Sequence, residues 1–259
     1  MEGDFRWGTG VPDSVAVSAN LRQDEAQFTM ESQFKTTIED LLGPLNEVER
    51  KNAPKALFFA GDLGLLDAGP RVSIVGSRKA SARGLNNARG LAAWLVRRGA
   101  VVVSGLAEGI DAAAHQGAID AGGRTIGVIG TPLNQSYPPK NRQLQALLAS
   151  EHLVLSQFAD GSPVQPKNFP IRNRTMALIS HATIIVEAAD KSGSLHQGWE
   201  ALRLGRPLFV LERLMNDPSL SWPKELAHYG ALSLDPDGLE AITEYLPEHG
   251  RADLAHIEL

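Results

Sequence analysis

The middle of the chain alternates between short apolar runs and longer amphipathic stretches, with glycine-rich turns at several of the changes. The runs are rich in valine and isoleucine, as is typical of strands buried on both faces of a sheet. The predicted strands are 71–75, 101–103, 125–129, 153–156, 183–186 and 208–211, and the predicted helices are 85–98, 110–121, 174–180 and 198–204. This order predicts an α/β fold with a mainly parallel sheet and helices on both faces.

Two of the predicted strands run into loops that are suited to an anion. The candidate ligands there are Gly76, Ser77, Arg78 and Lys79 after the first strand, and Ser104 and Gly105 after the second. In parallel α/β sheets, free backbone N–H groups and helix N-termini face the ligand beyond the carboxyl ends of the strands. Neither loop has the G-x-G-x-x-G spacing of a dinucleotide site or the Lys-Ser/Thr ending of a P-loop. The loops therefore predict phosphate binding and leave the ligand open.

The segment 168–174 combines two guanidiniums, two amides and an aromatic ring without an acidic residue. Its candidate site residues are Asn168, Phe169, Arg172, Asn173 and Arg174, and Lys167 precedes them. The arginines can hold phosphates or organise the loop, and the ring can stack on a base. Because Pro170 disfavours helix at the preceding residue, we expect an extended segment with an outward-facing ring. The alternative is a buried Phe169 followed by a capped helix start.

The charge is distributed unevenly along the chain. The net charge is −5, but residues 1–50 hold four basic and ten acidic residues, and residues 212–259 hold three and ten. From Arg71 to Ala107 there are seven basic residues and no acidic one. Local field, rather than net charge, sets affinity for phosphates. We expect Arg78 and Lys79 to contact the ligand, whereas Arg89, Arg97 and Arg98 fit the solvated face of a helix.

Several of these motifs, in this order, resemble the DNA-processing protein A family, which is also called Smf. The resemblance runs from about Leu57 to Phe209 and includes 59–63, the Gly-Ser-Arg loop at 76–78, 104–115, 137–142, 168–174 and 192–195. It implies an extended Rossmann-like domain that binds single-stranded DNA and helps to load a RecA-type recombinase during natural transformation. The remaining candidate DNA-binding residues lie in or beside the matching segments: Lys140, Lys191, Ser192, Gly193 and Ser194. The resemblance also implies a homodimer.

The flanks depart from that family pattern. Neither an N-terminal helical domain nor a C-terminal winged-helix domain is recognisable in them. We therefore expect three parts: an acidic flank at 1–50 that is partly helical or disordered, a DNA-binding domain at 51–214, and an acidic extension at 215–259 that packs on the domain or trails it. One amphipathic helix is predicted between Phe28 and Leu42, a loop at 215–223, and a short helix at 236–245.

The second hypothesis is a small-nucleotide-binding protein or a nucleotide phosphoribohydrolase of the same superfamily. Alignment with the hydrolase signature places Gln197 where the catalytic glutamate belongs, and an amide cannot exchange a proton at neutral pH. Glu200, one helical turn further on, is a candidate substitute. Asp111 and His115 share a helix face, but no third metal ligand is evident. We therefore expect no catalytic residue, no metal and no cofactor.

Bulk properties favour a cytoplasmic protein. The sequence has no cysteine, which excludes disulfides and thiolate metal sites and fits a reducing compartment. It also has no apolar run of the ~20 residues that a membrane span needs, and its N-terminus lacks the pattern of a signal peptide. We expect no membrane partner.

Overall fold

The computed structural model describes residues 34–190 and 192–247. The strands are β1 (Phe34–Thr36), β2 (Leu57–Gly61), β3 (Arg71–Gly76), β4 (Val101–Ser104), β5 (Thr125–Ile129), β6 (Leu153–Ser156), β7 (Ala182–Glu187), β8 (Leu208–Leu211) and β9 (Leu232–Leu234). The helices are α1 (Ile38–Leu42), α2 (Glu47–Arg50), α3 (Ala82–Val96), α4 (Ile110–Asp120), α5 (Arg142–Glu151), α6 (Asn168–Ile179), α7 (Gly193–Arg203), α8 (Glu212–Met215) and α9 (Trp222–His228). Short 3₁₀ segments lie at Leu63–Leu66, Pro139–Asn141 and Pro236–Tyr245.

All nine strands join one sheet in the order β1-β2-β6-β5-β4-β3-β7-β8-β9. The strands from β6 to β9 in this order are parallel, and β1 and β2 are antiparallel to their neighbours. The chain builds outward from β3 to β6 and then returns to place β7 on the other side of β3. Loops that follow β3 and its neighbours therefore diverge at the carboxyl edge, where parallel sheets bind their ligands.

Helices cover both faces of the sheet. Helices α3 and α4 pack side by side, and α6 packs beside α7, while all four contact β3. The central strands are consequently buried along their length, with Val72, Ile74, Val102 and Ile184 fully inaccessible to solvent. The predicted α/β fold with a mainly parallel sheet is confirmed, and its arrangement is Rossmann-like.

The element boundaries differ from prediction mainly at the starts of helices. Helix α6 begins at Asn168 instead of Arg174, and α7 begins at Gly193 instead of Gly198. The expected extended conformation around Phe169 is wrong, because Pro170 lies in the first turn of α6, where its missing N–H has no helical partner to lose.

The flanks contribute to the same sheet. Strand β1 pairs with β2, and β9 extends the parallel sheet beyond β8. The predicted helix between Phe28 and Leu42 is wrong within the described residues, which form β1 and α1 there, and Phe28 lies outside the described residues. The predicted loop at 215–223 contains the start of α9, where Trp222 and Pro223 are buried. No helix in the described part of the chain is long and apolar enough to cross a bilayer.

Candidate nucleic-acid interface

A small pocket opens at the carboxyl edge of the sheet, where the loops after β3, β4 and β5 meet the start of α6. Its volume is about 70 Å³. The lining residues are Arg78, Gly105, Ala107, Glu108, Gly130, Tyr137, Pro138, Phe169 and Arg172. Four segments that are far apart in sequence therefore supply one cavity with cationic, aromatic and backbone groups.

Phe169 forms an aromatic wall of this pocket. The residue is half-buried, and its ring centroid lies 5.2 Å from that of Tyr137, with the two rings tilted by 44°. Gly130 permits this placement, because a Cβ at that position would lie 2.8 Å from Cδ1 of Phe169. Tyr137 is exposed and was not among the predicted site residues. Its place in the 137–142 segment of the family resemblance, directly before two prolines, could have indicated it.

Arg78 supplies the free positive charge. Its guanidinium carbon lies 5.2 Å from the centroid of the Phe169 ring, within reach of a cation–π contact. Arg78 and Lys79 are exposed, and neither forms an ion pair within residues 34–190 and 192–247. Both cations are therefore available to an anionic ligand.

Gly76 and Ser77 support the loop that carries Arg78. The backbone N–H of Ser77 donates to the carbonyl oxygen of Glu187 at 2.6 Å, and its own carbonyl accepts from the backbone N–H of Ile110 at 3.2 Å. A Cβ on Gly76 would lie 2.6 Å from Cγ1 of Ile110. The loop is thus fixed between β7 and α4, and its glycine allows close packing.

Arg172 is a buried support of the pocket, 4% exposed, with no free phosphate-binding face. It donates to the carbonyl oxygen of Val128 at 2.6 Å and to that of Gly105. Burial lowers the pKa of Arg172 to about 10, while the neighbouring carboxylate of Asp111 opposes that shift. Of the two roles expected for Arg172, the structure supports organisation of the loop. Gly105 is also buried, because the Arg172 guanidinium fills the place of a Cβ.

A carboxylate of the protein lies near the start of each helix that follows these loops. Glu187 accepts from the backbone N–H of Ser81 at 2.9 Å and from its hydroxyl at 2.5 Å, at the start of α3. Asp111 accepts from the backbone N–H of Ala107 at 3.4 Å beside the start of α4, and burial raises its pKa. The backbone N–H groups of Ser81 and Ala107 are therefore taken by carboxylates, and phosphate binding by the loops stays a prediction.

Three further candidates are buried and hold the scaffold. The hydroxyl of Ser104 donates to the carbonyl oxygen of Ile74 at 2.7 Å. The amide of Asn168 donates to that of Pro163 at 3.1 Å, and the amide of Asn173 to that of Gly193 at 3.1 Å. All three side chains are buried and donate to carbonyl oxygens of the protein, so their contact with a ligand stays a prediction.

Three further candidates, Arg174, Lys140 and Lys167, lie outside the lining of the pocket. Arg174 is exposed and pairs at 3.1 Å with Glu200, a carboxylate from outside the acid-free segment 168–174. Lys140 pairs with Glu108 at 2.7 Å, and Lys167 is exposed at the start of α6.

Ser192 and Ser194 share a hydrogen bond of 2.8 Å between their hydroxyls beside the exposed Gly193. This segment begins α7 and does not line the pocket. Lys191 lies outside the described residues.

Gln197 and Glu200, the two residues considered for hydrolysis, form contacts within the protein. Gln197 is fully buried, and its amide nitrogen donates to the hydroxyls of Ser73 at 3.3 Å and Thr183 at 3.5 Å. Glu200 pairs with Arg203 at 2.7 Å as well as with Arg174. Within the described part of the chain, no three potential ligands cluster as a metal site would require.

These features define a Rossmann-like α/β protein with a basic, aromatic pocket at the carboxyl edge of a parallel sheet. The family model of DNA recombination-mediator protein A matches residues 35–246, and the chain belongs to this family. It is 39% identical to DNA processing protein DprA of Bacillus subtilis over 75% of this chain and 65% of that protein. It is 37% identical to DprA of Streptococcus pneumoniae over 90% of this chain and 82% of that protein. The chain thus spans just under two thirds of the Bacillus relative's length.

Two solved structures are similar to this one. The X-ray structure of DNA processing protein A from Streptococcus pneumoniae has a TM-score of 0.72 and 32% identity, covering 85% of this chain and 76% of that one. A structure of the Helicobacter pylori protein, described as showing a single-stranded DNA binding mode, has a TM-score of 0.69 and 29% identity, covering 82% and 97%.

Proposed function

We propose that this protein binds single-stranded DNA at the carboxyl edge of the sheet. The observation that carries the proposal is the exposed guanidinium of Arg78, without an ion pair in the described residues, lying over the half-buried ring of Phe169. A phosphate needs the cation and a base needs the aromatic face, and a nucleic-acid strand supplies both together.

A single strand fits this site better than a duplex. The aromatic wall lies in a pocket of about 70 Å³, so a base must leave any stack to reach the rings of Phe169 and Tyr137. Unpaired bases can splay out and stack on aromatic side chains, whereas paired bases pay an unstacking cost. The single-stranded DNA binding described for the Helicobacter pylori relative supports the same ligand class.

The protein acts by binding and not by catalysis. Gln197 is buried at the position of a hydrolase glutamate, and Glu200 is held by two arginines. These contacts support a non-catalytic role.

The cellular role extends this binding activity. We infer that the protein works in the cytoplasm as a homodimer and presents DNA to a RecA-type recombinase, in natural transformation or another recombination pathway. Residues 51–214 form the DNA-binding domain in this proposal, and the acidic parts at 1–50 and 215–259 flank it. The family membership and the basic middle of the chain support these inferences.

The test is affinity as a function of ligand length and salt. Fluorescence anisotropy should show affinity rising from thymidine monophosphate to an oligothymidylate of about ten to twenty nucleotides. It should also show log affinity falling with log salt by about 0.7 for each phosphate held. Saturation by the mononucleotide, with no gain on lengthening, would contradict the proposal and favour a small-nucleotide-binding protein. Release of base or phosphate from either ligand would contradict the non-catalytic role.

A further inference from the structure

A groove continues the pocket along the surface between α3, α4 and α5. Its volume is about 610 Å³, and it shares Arg78 and Glu108 with the pocket. The groove walls include Lys79, Arg89, Lys140 and Asn141, with Leu85, Leu144 and Leu147 as apolar lining. A ligand that fills the small pocket can therefore leave it by this groove.

The charges of the groove favour an anionic chain. Lys79 and Arg89 are exposed and form no ion pair within residues 34–190 and 192–247. Glu108 contributes the carboxylate that lines the groove, and Lys140 neutralises it at 2.7 Å. Two uncompensated cations thus follow Arg78 along a surface that also offers apolar area to sugars and bases.

Arg89 is fixed in place by helix packing. Helix α4 approaches α3 so closely there that a Cβ on Gly117 would lie 2.6 Å from Cα of Arg89. The backbone position is therefore rigid, and only the side chain is free to meet a ligand.

The neighbouring arginines of α3 differ from Arg89. Arg98 stacks on Trp94 with its guanidinium carbon 3.6 Å from the ring centroid, and it pairs with Glu240. Arg97 is exposed at the C-cap, at the far end of α3 from the Arg78 loop. The expectation that all three arginines form one solvated face is therefore wrong for Arg98, which contacts Trp94 and Glu240. Of the three arginines, Arg89 alone lines the groove.

We propose that this groove is the second half of the DNA site, in which the strand leaves the pocket past Arg78 and places successive phosphates on Lys79 and Arg89. The inference rests on the proposed single-stranded DNA binding and names the path of the strand. Guanidinium and ammonium groups bind phosphate oxygens by charge-assisted hydrogen bonds, and the apolar lining tolerates any base.

The experiment compares Arg89→Ala with Arg97→Ala, which removes the same charge from the same helix outside the groove. Two probes are used, oligothymidylates of two and of about twenty nucleotides, the shorter chosen to occupy the pocket of about 70 Å³ without extending along the groove. Arg89→Ala should weaken binding of the long probe roughly five- to tenfold and lower its salt slope by about 0.7. It should leave the short probe's affinity within about twofold. Arg97→Ala should match the wild type with both probes, and Arg89→Lys should restore most of the salt slope.

The outcomes separate the two proposals. If the wild type binds both probes and Arg89→Ala behaves as Arg97→Ala does, the groove is not the path, while DNA binding at the pocket stands. If Arg89→Ala weakens the binding of both probes equally, Arg89 acts on the pocket, and the proposed path of the strand along the groove is wrong. If the wild type binds neither probe, the proposed function fails together with the groove.

Discussion

At the scale of single residues, the structure assigns different tasks to three arginines that the sequence presents alike. Arg78 is exposed over an aromatic ring, Arg172 is buried among carbonyl oxygens, and Arg174 is paired with Glu200. Only the first is free to exchange its partner for a phosphate. Burial and pairing, rather than residue type, decide which cations can contribute to binding.

Arg78→Ala should weaken single-stranded DNA binding by roughly 1–3 kcal/mol, the value of a charge-assisted contact. The salt slope should flatten by about 0.7, because one phosphate contact is lost. The melting temperature should hardly change, since the side chain is exposed and forms no ion pair in the described residues. Anisotropy titrations across a salt series measure both effects. A folded variant with an unchanged slope would remove Arg78 from the site.

Phe169→Leu separates stacking from charge. Leucine keeps apolar bulk near Gly130 but removes the flat face, so affinity should fall by about 1–3 kcal/mol while the salt slope stays the same. Anisotropy and thermal melting should be measured on the same preparation. If the melting temperature falls and affinity per folded molecule is unchanged, Phe169 serves the core and not the ligand.

At the scale of elements, the sequence predicts the six central strands well and the helix starts poorly. Strands such as β5 are short and continuously apolar, so their burial is evident from composition. The start of α6 was missed because Pro170 indicates an extended chain, although proline is also tolerated in a first turn. With α6 correctly begun, helical spacing would have placed Arg172 on the same inward face as Met176 and Ile179.

Tertiary pairing explains the other misses at the site. The ion pair between Arg174 and Glu200 joins residues on α6 and α7, and the bond between Glu187 and Ser81 joins β7 to α3. Neither contact leaves a periodic or local signal in the sequence. The sequence therefore predicts loops that meet at one edge of the sheet, but it could not separate their exposed residues from their buried supports.

The contact between α4 and β5 makes stability depend on pH. His115 of α4 is fully buried and shares a hydrogen bond of 2.7 Å with the hydroxyl of Thr125. Burial lowers its pKa to about 3, with smaller contributions from His152 and Arg172. Because its folded pKa is depressed, its stabilising contribution is complete above an unfolded pKa of about 6.5 and is lost as the pH falls towards 3.

Lowering the pH from about 7 to about 5 should cost roughly 2 kcal/mol of unfolding free energy through His115 alone. In His115→Leu, the loss over the same interval should be smaller by that amount. Urea unfolding at both pH values checks this, and the difference within each protein cancels any offset caused by the substitution itself. Equal losses in both proteins would show that His115 takes up no proton on unfolding.

At the scale of the whole molecule, acidic flanks surround a basic middle. The middle carries the candidate site, and the flanks add β1 and β9 at the two edges of the sheet. An edge strand presents backbone groups that a second chain can pair with or cover. The backbone groups of these edge strands are a physical reason to expect association, and this reason is independent of the family resemblance.

We expect a homodimer in solution. Light scattering should report about twice the chain mass of 27.8 kDa at micromolar concentrations, with little dependence on salt if the contact is apolar. A mass of one chain across that range would contradict the dimer. A mass that falls only at high salt would assign the association to charge.

The carboxylate of Glu187 at the start of α3 has a consequence for how the protein behaves among abundant metabolites. Free nucleotides usually bind to folds of this kind by placing their phosphates where Glu187 meets Ser81. In this protein the Glu187 carboxylate already occupies that position and would compete with a phosphate. The phosphate of a mononucleotide must displace the Glu187 carboxylate to bind there. A long strand can leave that carboxylate in place and bind through contacts elsewhere on the surface. We therefore expect the proposed binding of single-stranded DNA to persist in the presence of excess free nucleotide.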